Sequence, residues 1–227
     1  MRSMQRQLDD MQRRVTERDL PGMASDSDLT DRKRRLIVEC ASAVLFEKGF
    51  HGTSIRDIAT ASGMSMGQLY HYISSKDDIL YLMHTHMQEI WHQHLSDAGF
   101  EQISEPMARL EHGLKIAIMF LCENRRLLQF LYTESKYLDR EHLHKVLELD
   151  DQNVVGFYRH LLSQIPGLRQ DASEREMAAN LVAFIGVFPA LRGWNLDMTH
   201  VDTLVDFLVD FIFRGLGIER GSSTQEG

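Results

Sequence analysis

Thr53 to Lys76 reads TSIRDIATASGMSMGQLYHYISSK, and this stretch decides the fold. Thr53 and Ser54 are hydroxyl residues that can accept from the free amides of a helix starting at Ile55, and Asp57 in its first turn suits the helix dipole. The apolar face of that helix is Ile55, Ile58 and Ala59, and Gly63 supplies the left-handed turn that ends it near Ala61. Ser65 caps a second short helix whose one large aliphatic residue, Leu69, is placed to plug into a core. Gln68, Tyr70, His71 and Tyr72 are then left to point elsewhere, and Gly67 permits close approach of another molecule. Ser74 or Ser75 caps a third helix, with Asp77 and Asp78 in its first turn and Lys76 beside its amides. Two capped helices around a tight glycine turn, followed by aromatics and a lysine, have the layout of a helix-turn-helix, which places amides and rings in a major groove about 12 Å wide.

The stretches ASAVLFEKGFHGTSIRDIA and GMSMGQLYHYISSKDDIL carry a family resemblance: residues 31 to 80 resemble the N-terminal domain of TetR/AcrR-family transcriptional regulators. The resemblance implies an all-α chain with a three-helix DNA-binding head over 30–76, then a larger helical body over 77–217 that binds an effector and dimerises. It assigns Ser65, Met66, Gly67 and Gln68 to the start of the reading helix and Arg56 to a base or phosphate contact. Tyr70, His71 and Tyr72 fall on the family's aromatic contact positions, Lys76 on its phosphate-binding lysine. Arg34, Thr53 and Ser54 complete the expected DNA-facing set. Met66 beside Gln68 departs from the common pattern, so the operator sequence is not carried over, and Ile73 replaces a frequent phenylalanine.

Charge agrees locally. The net charge is −8, yet residues 30 to 78 hold seven Lys or Arg against six Asp or Glu, so this segment is +1 and the remainder −9. The run Arg32 to Arg35 opens the first helix, where it reads either as a phosphate contact or as a solvated face. With 227 residues, 43% of them hydrophobic, the chain is long enough for a head and one sizeable core. No apolar run reaches the roughly 20 residues of a membrane span, and MRSMQRQLDDMQRRV lacks a secretory apolar region, so a cytoplasmic protein without membrane contact is expected. Cys40 and Cys122 read as reduced packing residues. Residues 1–29, with the stretch PGMASDSD, read as a flexible extension, and 218–227 as a flexible tail.

After the head, a helix from Asp77 to about Ser96 carries an apolar stripe at Ile79, Met83, Met87 and Ile90. Further helices are expected at about 106–122, 124–137, 139–164, 174–192 and 200–215, separated by Gly99, Pro106, Pro166-Gly167 and Gly193. Met177, Leu181, Phe184, Phe188 and Leu191 repeat at spacings of four and three. Val201, Leu204, Val205, Leu208, Val209 and Ile212 form a second stripe, broadened by Phe207, Phe211 and Phe213. Helices apolar nearly all round need cover on more than one side, so residues 174–192 and 200–215 are expected either to pair with a second copy in a homodimer or to be buried core.

The resemblance also implies an effector pocket among the central helices. Its candidate walls are Phe120, Phe130, Tyr137, Phe157, Tyr158, Phe184 and Phe188, with Glu134, Arg192 and Trp194 as polar or amphipathic tips. The segment ENRRLLQFLYTESKYL resembles regulators that sense acyl-CoA thioesters, in which Arg125, Arg126 and Arg192 would meet phosphates; another hydrophobic effector is the competing reading. The implied function is a repressor released from a palindromic operator on double-stranded DNA by a small hydrophobic effector, with an activator or co-repressor-type regulator as the alternative. Glu89-x-x-His92 and Glu141-x-x-His144 have the spacing of di-iron bundle enzymes, but helical geometry turns Glu89 and His92 away from the Ile79 stripe. No catalytic triad, phosphate-cradling glycine loop or paired-cysteine site is visible, so no enzyme activity, cofactor or metal is expected.

Overall fold

The computed structural model describes residues 26–168, 171–196 and 198–219. Every regular element among them is helical: α1 (Asp26–Gly52), α2 (Ile55–Ala61), α3 (Met66–Tyr70), α4 (Lys76–Asp97), α5 (Pro106–Glu123), α6 (Arg125–Glu134), α7 (Arg140–Asp150), α8 (Gly156–Ser163), α9 (Ala172–Arg192) and α10 (Val201–Gly215). Of the expected flexible ends, residues 1–25 and 220–227 lie outside the described residues, and α1 already begins at Asp26. The described residues fall into two compact units that divide within α4, between Met83 and His84.

The head is built on three repeats of one local device. Ser54 accepts from the Asp57 amide while Asp57 accepts from the Ser54 amide, a capping box that starts α2. Ser65 and Gln68 do the same for α3. Ahead of α4, the Ser75 hydroxyl accepts from the Asp78 amide and Asp78 accepts from the amides of Ser74 and Ser75. Between α2 and α3, Gly63 adopts φ +66°, with Met64 N–H donating to Ala59 and Gly63 N–H to Thr60, the paired bonds that close a helix on a left-handed residue. Ile37, Leu45, Ile58, Leu69, Ile73, Ile79 and Leu80 form the head's core, each 2% exposed or less. Lys48 reaches Asp57 at 2.8 Å and ties α1 to α2.

In the body, α9 packs against α5, α6 and α8, and α10 packs against α5. Gly113 on α5 marks the tightest approach, since a Cβ there would lie 2.9 Å from the Phe100 ring and 3.1 Å from Leu161. The helix expected over 139–164 is interrupted by one π-helical turn, Asp151–Val155, between α7 and α8. Arg159 braces this turn, pairing with Asp151 at 2.9 Å and with Glu176 of α9 at 2.6 Å. The expected helix over 124–137 ends earlier, with a 3₁₀ turn at Ser135–Tyr137. By length and composition α9 with its following turn is apolar enough to cross a membrane. Its opening turns nevertheless carry Glu174, Arg175 and Glu176, and Ala179, Val182 and Ala190 pack inward.

The two stripes of α9 and α10 resolve into different faces. Val205, Leu208, Val209, Ile212 and Phe213 of α10 are core, at most 5% exposed. Met177, Leu181 and Phe184 of α9 and Phe207 and Phe211 of α10 are between 55% and 64% exposed, and Phe188 is 37% exposed. Small residues let α9 sit close to its neighbours, and its large residues face out.

Candidate functional site

The residues expected to read DNA lie on α2, α3 and the turn that follows. Ser54, Arg56, Ser65, Gly67, Gln68, Tyr70 and His71 are exposed, Met66 and Tyr72 half-buried, and Leu69 is fully buried beneath them. The helix α3 is shorter than expected. It ends at Tyr70, and His71 and Tyr72 belong to a turn whose rings meet edge to face at 5.4 Å. The cause is local: Ile73 must bury, and the Ser75–Asp78 cap starts a new helix axis. Gln68 uses its carbonyl oxygen for the Ser65 amide at 2.9 Å, so its amide nitrogen is the group left to address a base.

Two expected DNA contacts are placed differently. Thr53 is 2% exposed, and its hydroxyl donates to the Gly49 carbonyl at 2.9 Å, which closes the turn after α1. Lys76 donates to the carbonyls of Phe50 at 2.6 Å and Thr53 at 3.1 Å and sits 4.3 Å from the centre of the Phe50 ring. It thus satisfies the carbonyl end of α1, with one of three ammonium protons left for a phosphate. Arg34 is exposed and lies 3.6 Å from Asp31. Asp57 is held well below the ordinary carboxylate range, first by the Lys48 hydrogen bond and then by those from Ser54, so the α1–α2 tie is fully charged at neutral pH.

The body contains a cavity of about 500 Å³. Its wall is mostly apolar, drawn from α4 through α9, and includes Met87, Trp91, Phe120, Leu131, Phe157, Tyr158, Phe184 and Val187. Of the residues singled out from sequence, Phe120, Phe157, Tyr158 and Phe184 line it. Arg126, Phe130, Glu134, Tyr137, Phe188, Arg192 and Trp194 do not, and neither does Arg125. Trp194 is 76% exposed, with the Arg192 guanidinium 5.9 Å from its ring. The polar lining, apart from Tyr158, was not anticipated: His84, Gln88, Tyr132, Ser135, Asp150 and Asn180. Spacings of four and three connect His84, Gln88 and Trp91, so a second face of α4, beside the Met83–Met87 stripe, carried the missed signal.

His84 bonds the Ser135 hydroxyl at 3.1 Å, and Ser135 donates onward to Leu131, so the His84 nitrogen acts as donor. Burial lowers its pKa to about 4, which keeps the ring neutral at physiological pH. Burial likewise raises Tyr158 far above the usual phenol range and pushes Asp150 up, the latter helped by Asp151. Cys40 and Cys122 are free and buried, with thiols raised by burial. Among the described residues no group of three or more His, Cys, Asp or Glu could hold a metal. Of the two di-iron spacings, Glu141 is held by Lys145 at 2.6 Å and His144 by Glu148 at 3.2 Å.

An exposed, capped reading helix on a three-helix core, followed by a helical body with an apolar cavity, defines a helix-turn-helix regulator class. Residues 37–81 match the family model described as bacterial regulatory proteins, tetR family. Over these residues the chain thus carries a head of the tetR-family type. It is similar to the transcriptional regulator HbdR of Aromatoleum sp. (strain CIB), 28% identical over 125 residues that cover 54% of each chain. It is also similar to the probable acrEF/envCD operon repressor of Escherichia coli (strain K12), 22% identical and covering 81% of this chain and 86% of that one. The match to PksA of Bacillus subtilis (strain 168), 40% identical, is confined to 50 residues, so the chain spans about half of HbdR and 24% of PksA. Among solved structures, a tetR-family regulatory protein from Rhodococcus RHA1 superposes with a TM-score of 0.68 at 19% identity, covering 83% of this chain and 98% of that one. AibR, solved with isovaleryl coenzyme A and operator DNA, superposes with a TM-score of 0.64 at 20% identity, covering 80% of this chain and 98% of that one.

Proposed function

We propose that this chain is a repressor that binds a palindromic operator as a homodimer and is released when a small hydrophobic effector enters the body cavity. The observation that carries the reading is the head: a doubly capped helix-turn-helix with Gln68, Tyr70, His71 and Arg56 exposed on a core sealed by Leu69. The outward apolar residues of α9 and α10 support pairing with a second copy, and two heads related by a twofold axis read a palindrome. The cavity falls within the size range and apolar character of small-molecule sites. AibR, of like fold, has been solved with both an acyl thioester and operator DNA.

The helix α4 supplies the link. Its first residue, Lys76, holds the end of α1, and His84, Met87, Gln88 and Trp91 further along it line the cavity. An effector that displaces those side chains moves a helix that begins in the head, and it lowers DNA affinity only by its preference for one head spacing over another. Random-site selection followed by titration of the operator tests the head. Gln68→Ala should lose about 1 to 3 kcal/mol of discrimination at one base pair, whereas Arg56→Ala should weaken all duplexes alike and lower the salt slope by about one. Parental binding to operator and random DNA by both variants overturns the assignment.

A further inference from the structure

The cavity is a site without a cation. Among the described residues no lysine or arginine lines it, the one histidine that does is neutral, and the one carboxylate, Asp150, has no hydrogen-bond or ion-pair partner. Asp150 is the last residue of α7, where the chain passes into the π-helical turn. The neighbouring cation does not relieve it, because Arg159 is engaged by both Glu176 oxygens at 2.6 and 2.8 Å and by Asp151 at 2.9 Å. Asp150 is itself exposed to solvent, and an ionised carboxylate entering this wall would meet its like charge and no cation to offset the loss of its own water. The remaining polar groups, His84, Gln88, Ser135 and Asn180, are neutral hydrogen-bonding partners. The Gln88 carbonyl oxygen is out of contact with solvent and has no partner, so it awaits a donor.

We propose that this cavity selects the uncharged form of an acyl ligand, a chain whose carboxyl is capped as an ester, thioester or amide, and turns away the free carboxylate, with Asp150 making the distinction. The proposal rests on the reading of the cavity as the effector site. It also assigns any phosphate of such a ligand to a place beyond the cavity wall, since Arg125, Arg126 and Arg192 are not part of that wall.

Trp91 lines the cavity and is a built-in reporter, and Trp194→Phe removes the other tryptophan, which is exposed. In that background, decanoate, methyl decanoate and decylammonium are titrated at neutral pH while Trp91 fluorescence is followed. Methyl decanoate should bind, decanoate should bind at least about tenfold more weakly, and Asp150→Asn should recover at least about tenfold for decanoate while leaving the ester unchanged. Equal affinity of acid and ester for the parent, or an acid affinity unmoved by Asp150→Asn, overturns the proposal. Tighter binding of decylammonium than of the ester also overturns it, because Asp150 would then be a counter-ion for a cationic ligand. Silence of Trp91 towards all three probes rejects the cavity as a ligand site, and the proposal falls with it.

Discussion

Replacing Phe211 by glutamate should split the proposed homodimer while leaving the body folded, and replacing Val209, two residues earlier, by glutamate should unfold it. The two side chains share one helix, but Phe211 is 55% exposed and stacks on Phe207 at 6.4 Å, while Val209 is 0% exposed. An aromatic side chain presents about 150 to 250 Å² for burial, so roughly half of one leaves about 100 Å² to be covered by a partner. At about 25 cal/mol/Å² this amounts to roughly 2.5 kcal/mol per copy, or about 5 kcal/mol across a twofold interface. Loss of that area alone weakens association by three to four decades, and the buried charge adds to it, which takes a nanomolar dimer to micromolar or weaker. Sedimentation velocity at micromolar concentration, with circular dichroism as the check on folding, reads both effects. A parent that is monomeric under these conditions, or a folded Phe211→Glu that remains as dimeric as the parent, refutes the interface.

Gly113→Ala would ordinarily favour a helix by about 1 kcal/mol. Here its Cβ meets the Phe100 ring at 2.9 Å, so thermal melting should show a net loss of roughly 1 to 3 kcal/mol. His84 is lowered to about 4 by burial, so the unfolded chain takes up its proton first as pH falls. Stability from this group is therefore present above the unfolded value of about 6.5 and declines between there and about 4, by at most about 3 kcal/mol. Denaturant melts of His84→Gln across that window should show a shallower acid decline, and an unchanged slope would show that His84 is not the titrating group.

The sequence by itself determined the head, because its signals act over a few residues. The caps Ser54–Asp57, Ser65–Gln68 and Ser75–Asp78 each join residues three apart, and the Gly63 turn is a property of one residue's backbone. The same holds for the helix order of the body, which follows the 3.6-residue repeat and the breakers. Tertiary structure decided everything that depended on which side of a helix meets what. The stripe Met177, Leu181, Phe184 and Phe188 has the spacing of a core face, yet it stays largely exposed, with Phe184 also lining the cavity, while the smaller Ala179, Val182 and Ala190 are buried in the close packing of α9. In sequence Lys76 reads as a free charge beside helix amides, and only the fold brings its partner carbonyls, 26 and 23 residues away, within reach. Asp150 and His84, 66 residues apart, line one cavity only because α4 and α7 fold around it, and no local pattern encodes such a pairing.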